Sequence, residues 1–389
     1  MIRSLKKNIT LDFVMCLLLI VASGNPIFIY SPNVRELYII LALLSIIYNI
    51  YKKGQGIATY ARYAMVFFIV MMVQQVIIPG MSISSQIFSL IRILIGVLII
   101  TGIKEKFALE YVKVMTVVAA ISLVLFPLTL RFGILPSVQT SKIGYSMYVY
   151  TQIFTDHGGM LARNSGMFWE PGAFQGYLNL AIAIALLLPK NVARRNSLII
   201  LIAALLTTYS TTGYIVFAFI IVYYLYRLSN YRSVNRTIIT FFVLLGIIYA
   251  FYSLEFMHDK LVDNLAETDS TQGRVTGFIR MGDIIIENFL LGINTEDFDT
   301  SSGNGLIYML LYYGGCLTVF YFVKLYKNIY RQYGSKIAFY IFMFVLISLQ
   351  GEGFMFYPVY LALPFLVLDF SKPLLYSVAK NVNTSAMVR

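Results

Sequence analysis

Apolar runs long enough to cross a bilayer follow one another along almost the whole chain, and they constrain its fold more than any other feature. A membrane-spanning helix needs about 20 mainly apolar residues. Composition agrees, since 59% of the residues are hydrophobic and only 12% are charged, against roughly 25% charged in soluble proteins. We predict one all-α membrane domain over residues 1–389, a bundle of twelve spans near 11–30, 35–51, 63–78, 87–103, 109–130, 172–188, 197–209, 213–227, 237–254, 305–323, 337–349 and 354–368.

The net charge of +12 raises the question of a nucleic-acid partner, and the placement of the basic residues answers it. With the N-terminus inside the cell, 22 of the 30 Lys and Arg residues fall in inner segments and seven in outer segments, while Arg92 lies within a span. This asymmetry is the positive-inside rule of membrane proteins. The basic excess therefore predicts cytoplasmic N- and C-termini and does not indicate nucleic acid.

Two outer segments, about 131–171 and 255–304, are much longer than the others. Long ordered loops are usually functional. The first ends in "RNSGMFWEP", which places Arg163, Trp169 and Glu170 directly before an apolar run. The second is acidic, so its arginines Arg274 and Arg280 are exceptions in a negative setting.

Three stretches carry a resemblance to a known family. They are "RNSGMFWEPGAFQGYLNLAIAIALLL" in the first outer segment, and "TQGRVTGFIRMGDIIIENFLLGIN" followed by "GNGLIYMLLYYGG" in the second. They resemble the Wzy-type polysaccharide polymerases of the O-antigen polymerase and ligase superfamily. The motifs cover about 60 residues, while the number of spans and the two large outer loops agree over nearly the whole chain.

The resemblance implies a GT-C-like membrane glycosyltransferase at the outer face of the bacterial plasma membrane. It would join undecaprenyl-diphosphate-linked repeat units into O-antigen, capsule or another exopolysaccharide, without a nucleotide sugar, a cofactor or a required metal. Membrane lipids, a chain-length regulator and a flippase are the further partners expected. In that family an arginine of each large loop is thought to hold the carrier's diphosphate, and by motif position these would be Arg163 and Arg274.

The chemistry of the transfer gives a second reason, apart from the resemblance, to expect such arginines. Breaking a sugar–diphosphate bond builds negative charge on the leaving oxygens, and a guanidinium can donate two parallel hydrogen bonds to them. Glu170 is the predicted base, because Pro171 suits a first helical turn and places the acid at a helix entrance. The alternative is a favourable interaction of Glu170 with the helix dipole alone. Trp169 would stack on a sugar ring or belong to an interfacial aromatic belt.

Further predicted substrate contacts rest on weaker patterns. If 274–291 is an amphipathic helix, Arg274 and Arg280 lie about 120° apart, and Asp283 gives Arg280 an ordinary ion-pair partner. Arg274 is therefore the stronger candidate of the two for a contact with the diphosphate.

His157 in "TDHGG" is a possible acid or base, although a lone loop histidine is more often only solvated. The acids of "EDFDT", Asp297 and Asp299, have the spacing of a metal site, but we interpret them as a solvated loop.

Arg92 is a charge inside a predicted span. Such a residue is unfavourable in lipid and should face a cavity, an acid or the interface, so we predict a place on the substrate path. Asn304 stands where O-antigen ligases commonly carry a histidine, which favours a polymerase and leaves open whether Asn304 contacts substrate.

Two other functions stay open. An O-antigen ligase would transfer a finished chain to the lipid A core. A transporter or flippase would need polar residues along several spans, whereas this chain concentrates its unusual residues in outer loops.

Overall fold

A computed structural model describes residues 10–29, 31–52, 57–132, 138–139, 145–146, 151–153, 163–228, 233–253, 274–294 and 304–368. Helices account for most of this part of the chain. They are α1 Leu11–Ala22, α2 Val34–Tyr51, α3 Ile57–Ile77, α4 Ile83–Ile103, α5 Phe107–Phe132, α6 Pro171–Leu187, α7 Val192–Leu206, α8 Thr211–Tyr223, α9 Ser233–Ser253, α10 Arg274–Glu287, α11 Gly305–Tyr333, α12 Ser335–Leu349 and α13 Pro358–Leu361.

The helix starts follow the expected capping chemistry. Thr10, Ser82, Asn191 and Ser210 each accept a hydrogen bond from a backbone amide in the first turn of the helix that follows, which satisfies one of the donors left open there. Short 3₁₀ turns occupy Pro26–Phe28, Lys104–Lys106, Phe354–Phe356 and Leu363–Phe365, and a π-helical turn occupies Tyr224–Leu228.

The described part of the chain is mostly helical, and its apolar helices fit the predicted all-α membrane protein. Five helical stretches are long and apolar enough to cross a bilayer, and one of them, Ile83–Phe132, contains both α4 and α5; the others are Val34–Tyr51, Tyr60–Ile77, Thr211–Leu228 and Gly305–Tyr333. Three shorter apolar helices are α1, α6 and α12. Eleven of the twelve predicted spans overlap a helix, but the count of twelve crossings stays a prediction.

Helix α6 lies at the centre of the bundle. Every residue from Pro171 to Leu186 is buried, including the polar Gln175 and Asn179. The helix packs on α5, α7 and α8. A helix that is apolar on all sides is typical of a fully buried one. The "FWEP" motif therefore leads directly into the core.

The prediction of a helical span over 354–368 is wrong. The segment consists of two 3₁₀ turns around the single turn of α13, because Pro358 and Pro364 interrupt the helical hydrogen-bond ladder. It runs beside α11 in the same direction: Tyr313, Tyr321 and Asn328 of α11 donate to the carbonyls of Met355, Tyr360 and Pro364. Irregular backbone is tolerated at membrane depth only where protein satisfies it, and these side chains do so.

Helix α11 is also interrupted. Gly314 has a φ of 71° within it, a conformation that favours glycine. The turn after α10 packs into this break: Ile293 N donates to Leu311 O at 2.7 Å, and Cys316 N donates to Leu290 O at 3.3 Å. The backbone of the "FLLGIN" motif thus supports the break, while the side chains of Phe289 and Leu290 are exposed.

A small antiparallel sheet in the first long segment is the part of the fold that an all-α prediction omits. Its strands are β1 Val138–Gln139, β2 Tyr145–Ser146, β3 Thr151–Ile153 and β4 Arg163–Asn164, paired in that order. In the last pair, Gln152 lies opposite Asn164 and Ile153 opposite Arg163. The sheet places Arg163 at the edge strand that joins the bundle.

Candidate functional site

Five of the predicted site residues gather at one end of the bundle: Arg92, Arg163, Trp169, Glu170 and Asn304. We call it the site end; it holds the C-terminal ends of α1, α7 and α12 and the N-terminal ends of α2, α4, α6, α8 and α11. The chain turns 23–25, 163–170, 207–210 and 350–357 meet there through the contacts described below.

Arg163 is anchored to the turn between α7 and α8. Its Nε donates to Thr208 O at 3.1 Å, which uses one of the five N–H donors of a guanidinium. Asn164, which is fully buried, fixes the strand: its backbone N donates to Thr207 O at 3.0 Å, and its Nδ2 donates to Thr207 Oγ1 at 2.8 Å and to Ser122 Oγ at 3.1 Å. The position of Arg163 is therefore set by a buried neighbour.

Aromatic packing fixes the stretch between Arg163 and Glu170. Phe168 is fully buried and its ring stacks on Phe174 and Tyr177, with centroid distances of 5.4 and 4.6 Å. Gly24, at the end of α1, leaves the space that Phe168 occupies, since a Cβ on Gly24 would overlap the ring. Trp169 N donates to Gly24 O at 3.1 Å. Phe168 thus holds Trp169 and Glu170 against α1.

Glu170 stands at the N-cap position of α6, as the sequence predicts, but its carboxylate does not cap the helix. Its Oε1 instead accepts a hydrogen bond from Trp169 Nε1 at 2.7 Å. The Trp169 ring lies 4.7 Å from the ring of Tyr357, tilted by 35°. The indole therefore orients the carboxylate, a role that neither a sugar-stacking nor a belt interpretation of Trp169 included.

Glu352 is a second carboxylate at this site, and the sequence prediction missed it. A Cβ on Gly172, in the first turn of α6, would overlap Glu352 Oε1, and a Cβ on Gly305, at the start of α11, would overlap Glu352 O. The acid thus lies against one helix N-terminus, where negative charge is favoured. The signal was available: Glu352 is the only acid between Asp299 and Asp369, and glycines flank it.

Asn304 has a structural role at the same place. Its Oδ1 accepts from Leu306 N at 3.0 Å and Ile307 N at 3.2 Å and so caps α11, while its Nδ2 donates to Gln350 Oε1 at 2.9 Å. These contacts account for both ends of the amide. A substrate contact by Asn304 stays a prediction without support from its geometry.

Arg92 reaches the site end from within α4. Its Nη1 donates to Phe356 O at 3.3 Å, and its guanidinium carbon lies 5.1 Å from the centre of the Tyr38 ring. The residue after Phe356 is Tyr357, whose ring packs against Trp169, so these two residues connect Arg92 to the indole that orients Glu170. Of the three surroundings expected for Arg92 (a cavity, an acid or the interface), the structure shows a cavity of about 300 Å³, and a place on the substrate path stays a prediction.

The structure describes the remaining predicted site residues only in part or not at all. The helix predicted over 274–291 spans Arg274–Glu287; only the backbone of its first half is described, so the meeting of Arg163 with Arg274, and the role of Arg280, stay predictions. His157, Asp297 and Asp299 lie outside the described residues.

No protein-family model matches the chain, and no curated protein matches its sequence. The resemblance to Wzy-type polymerases therefore rests on the three quoted stretches, and assignment of a function depends on the chemistry of the site.

Proposed function

We propose that the protein is a glycosyltransferase that polymerises undecaprenyl-diphosphate-linked oligosaccharide repeat units in a bacterial plasma membrane. The observation that carries the proposal is the oriented Glu170 carboxylate, held by Trp169 at the entrance of a buried helix, at the same end of the bundle as Arg163 and Arg92. Apolar surface, fixed cations and an oriented acid together suit an amphiphilic substrate with a phosphorylated head. The distribution of the basic residues along the sequence supports a position of this end outside the cytoplasm.

In the proposed reaction an acceptor hydroxyl attacks the anomeric carbon of the donor glycan. The bond from that carbon to the carrier diphosphate breaks, a new carbon–oxygen bond forms, and the hydroxyl proton passes to Glu170. Arg163 and Arg274 stabilise the charge that develops on the departing diphosphate. Glu352 packs against Gly172 in the first turn of α6 and is a second acid at this end of the bundle.

Extension of a purified carrier-linked repeat unit by the purified protein is the direct test. Lysine retains the charge but loses the planar fork, so Arg163→Lys and Arg274→Lys should each lower the rate of extension by about 100-fold or more. Arg131→Lys, at an exposed position at the end of α5, is the matched control and should extend normally. A chelator should leave the wild-type rate unchanged.

Three results would redirect the proposal. Full activity of both lysine variants would remove the diphosphate role of the two arginines. Transfer of a finished chain to lipid A core, with no extension, would indicate an O-antigen ligase. Loss of turnover with a chelator would indicate a metal and renew interest in Asp297 and Asp299.

A transporter is the second candidate, and one observation favours it. Transporters often have interrupted helices near the middle of the bilayer, and both α11 at Gly314 and the segment 354–368 are interrupted. In this structure the described contacts of both breaks are with protein side chains and backbone. Proteoliposomes that move a labelled carrier-linked glycan across the bilayer, without extending it, would support the transporter.

The proposed polymerase would work with other proteins of the same pathway. A flippase would have to deliver the carrier-linked unit to the site end, and a chain-length regulator would have to limit extension. Copurification of the full-length protein from its native membrane, followed by mass spectrometry, tests for both.

A further inference from the structure

The cavity beside Arg92 contains a second arginine, which lies outside every sequence motif described above. Arg35, in the first turn of α2, lines the same cavity as Arg92, and its guanidinium carbon lies 5.6 Å from the centre of the Phe88 ring. Ser84, Ser85 and Tyr312 add hydroxyl groups to the lining. No acidic residue lines the cavity, so its described wall is positive and rich in hydrogen-bond donors.

The two arginines have no acidic partner in the described part of the chain, where neither guanidinium has a carboxylate oxygen within 4.0 Å. Arg92 Nε is buried and forms no hydrogen bond with any described group. Arg92 also lies nine residues into α4, or about 14 Å from the helix start. A charge at that depth is strongly unfavourable unless it is paired, so an anion that enters the cavity would supply the missing partner.

The surroundings of the cavity suit a lipid more than a free ion. Ile39, one turn along α2 from Arg35, is 46% exposed, and Ile87, one turn along α4 from Ser84, is 49% exposed. Apolar side chains therefore flank the polar lining on both helices. A ligand with a phosphorylated head and a hydrocarbon chain would match both surfaces.

We propose that this cavity, the Arg35–Arg92 site, binds the phosphate head of a membrane lipid. Arg92 donates from the inner wall and Arg35 from the rim, and the hydroxyl groups of Ser84, Ser85 and Tyr312 complete the coordination. Under the proposed function, on which this step rests, the enzyme must hold two carrier-linked glycans at once. The Arg35–Arg92 site takes the diphosphate of the one that Arg163 does not hold.

Binding of lipids to the purified full-length protein in detergent, followed by native mass spectrometry, tests the site. The probes are geranylgeranyl diphosphate, phosphatidylglycerol and inorganic diphosphate. Arg92→Gln should weaken binding of the prenyl diphosphate by about 10-fold or more, and Arg35→Gln by a smaller factor, since a hydrogen bond to a charged group contributes about 1.5 to 3 kcal/mol and Arg35 is exposed. Arg131→Gln, the matched control, should bind as the wild type does.

Each outcome decides a separate point. Preference for the prenyl diphosphate assigns the site to the carrier, whereas equal binding of phosphatidylglycerol assigns it to bulk lipid. Equally tight binding of inorganic diphosphate contradicts the lipid part of the proposal. Wild-type affinity of Arg35→Gln and Arg92→Gln, or equal loss in Arg131→Gln, overturns it; if Arg92→Gln does not fold, the exposed Arg35→Gln decides alone.

The binding assay does not depend on glycosyl transfer, so the two proposals can fail separately. A protein that binds the prenyl diphosphate through these arginines but never extends a glycan retains the Arg35–Arg92 site and contradicts the proposed polymerase. A protein that extends glycans normally with both arginines replaced retains the polymerase and loses the site.

Discussion

At the end of the bundle opposite the site, lysines pair with the buried acids. Lys52 Nζ lies 2.6 Å from Asp12 Oδ1, and Lys113 Nζ lies 3.0 Å from Glu110 Oε1. Both carboxylates are nearly inaccessible, with side-chain exposures of 6% and 5%. At the site end, by contrast, Arg92 contacts a backbone carbonyl and an aromatic ring, and Glu170 accepts from an indole. Neutral groups hold these charges in place.

The comparison distinguishes charges that are paired within the protein from charges that can still attract a ligand. A buried acid paired with a lysine is already neutralised, and its main effect is on stability. A charge oriented by neutral groups keeps its full electrostatic attraction for a ligand. Substitutions at the site end should therefore change transfer or binding, and substitutions at the opposite end should change unfolding.

The largest effect is expected from Glu170. Glu170→Gln keeps the size of the side chain but removes the proton acceptor, and a general base typically contributes about 100-fold to 10,000-fold. The rate of glycan extension should fall by that factor, while the midpoint of thermal unfolding in detergent stays close to that of the wild type. Glu105→Gln, at an exposed position of the opposite end, is the control.

Glu352→Gln belongs to the same experiment. If Glu352→Gln abolishes extension and Glu170→Gln does not, the acid opposite Gly172 is the base and the assignment of Glu170 is wrong.

Asp12→Asn, at the opposite end, should lower the stability of the protein without lowering the rate of extension per folded molecule. The substitution leaves Lys52, which is only 28% exposed, without its closest acidic partner and also removes the acceptor charge for Tyr48 Oη, which donates to Asp12 at 2.8 Å. Breaking a buried ion pair from one side destabilises a protein by about 3 kcal/mol. Chemical denaturation in detergent should show this loss. Reduced extension per folded molecule would contradict the division between the two ends.

The contact between Glu352 and α6 offers a smaller test. Gly172→Ala inserts a methyl group where Glu352 Oε1 lies, and overpacking of this kind destabilises by about 1 to 3 kcal/mol. Extension should fall together with the unfolding midpoint, because the carboxylate must move.

Gly246→Ala is the matched control for that substitution. Gly246 lies within α9 and has no described atom within 4 Å of its added Cβ, so alanine should be neutral or slightly stabilising. Equal behaviour of the two alanine variants would show that the fit of Glu352 against Gly172 has no consequence.

The sequence predicts most of the helices because apolar runs and capping residues act locally. Glu170 at the N-cap of α6 and the turn between α7 and α8 follow from such signals. The interruption of 354–368 could also have been anticipated from Pro358 and Pro364, but a high apolar content suggested a continuous helix. Hydropathy reports burial, and it does not distinguish burial in lipid from burial beside α11.

The contacts that assemble the site are beyond local prediction. Glu352 lies 180 residues after Gly172 in the chain, and Arg35 approaches Arg92 only because α2 packs on α4. No periodicity in one segment reports such pairs. The isolated acid between two glycines was a visible signal, yet its partner became identifiable only from the fold.

Substitution of Trp169 should have the smallest effect on glycan extension. It also separates the orientation of the Glu170 carboxylate from its role as a base. Trp169→Phe keeps a ring against Tyr357 but removes the N–H that donates to Glu170 Oε1. A hydrogen bond to a charged group contributes about 1.5 kcal/mol or more, so kcat for extension should fall about tenfold with little change in KM. Tyr357→Leu is the matched variant, since it removes the ring contact and keeps the N–H donor; it should retain most of kcat. If Tyr357→Leu is as slow as Trp169→Phe, the ring contact orients the carboxylate and the hydrogen bond does not.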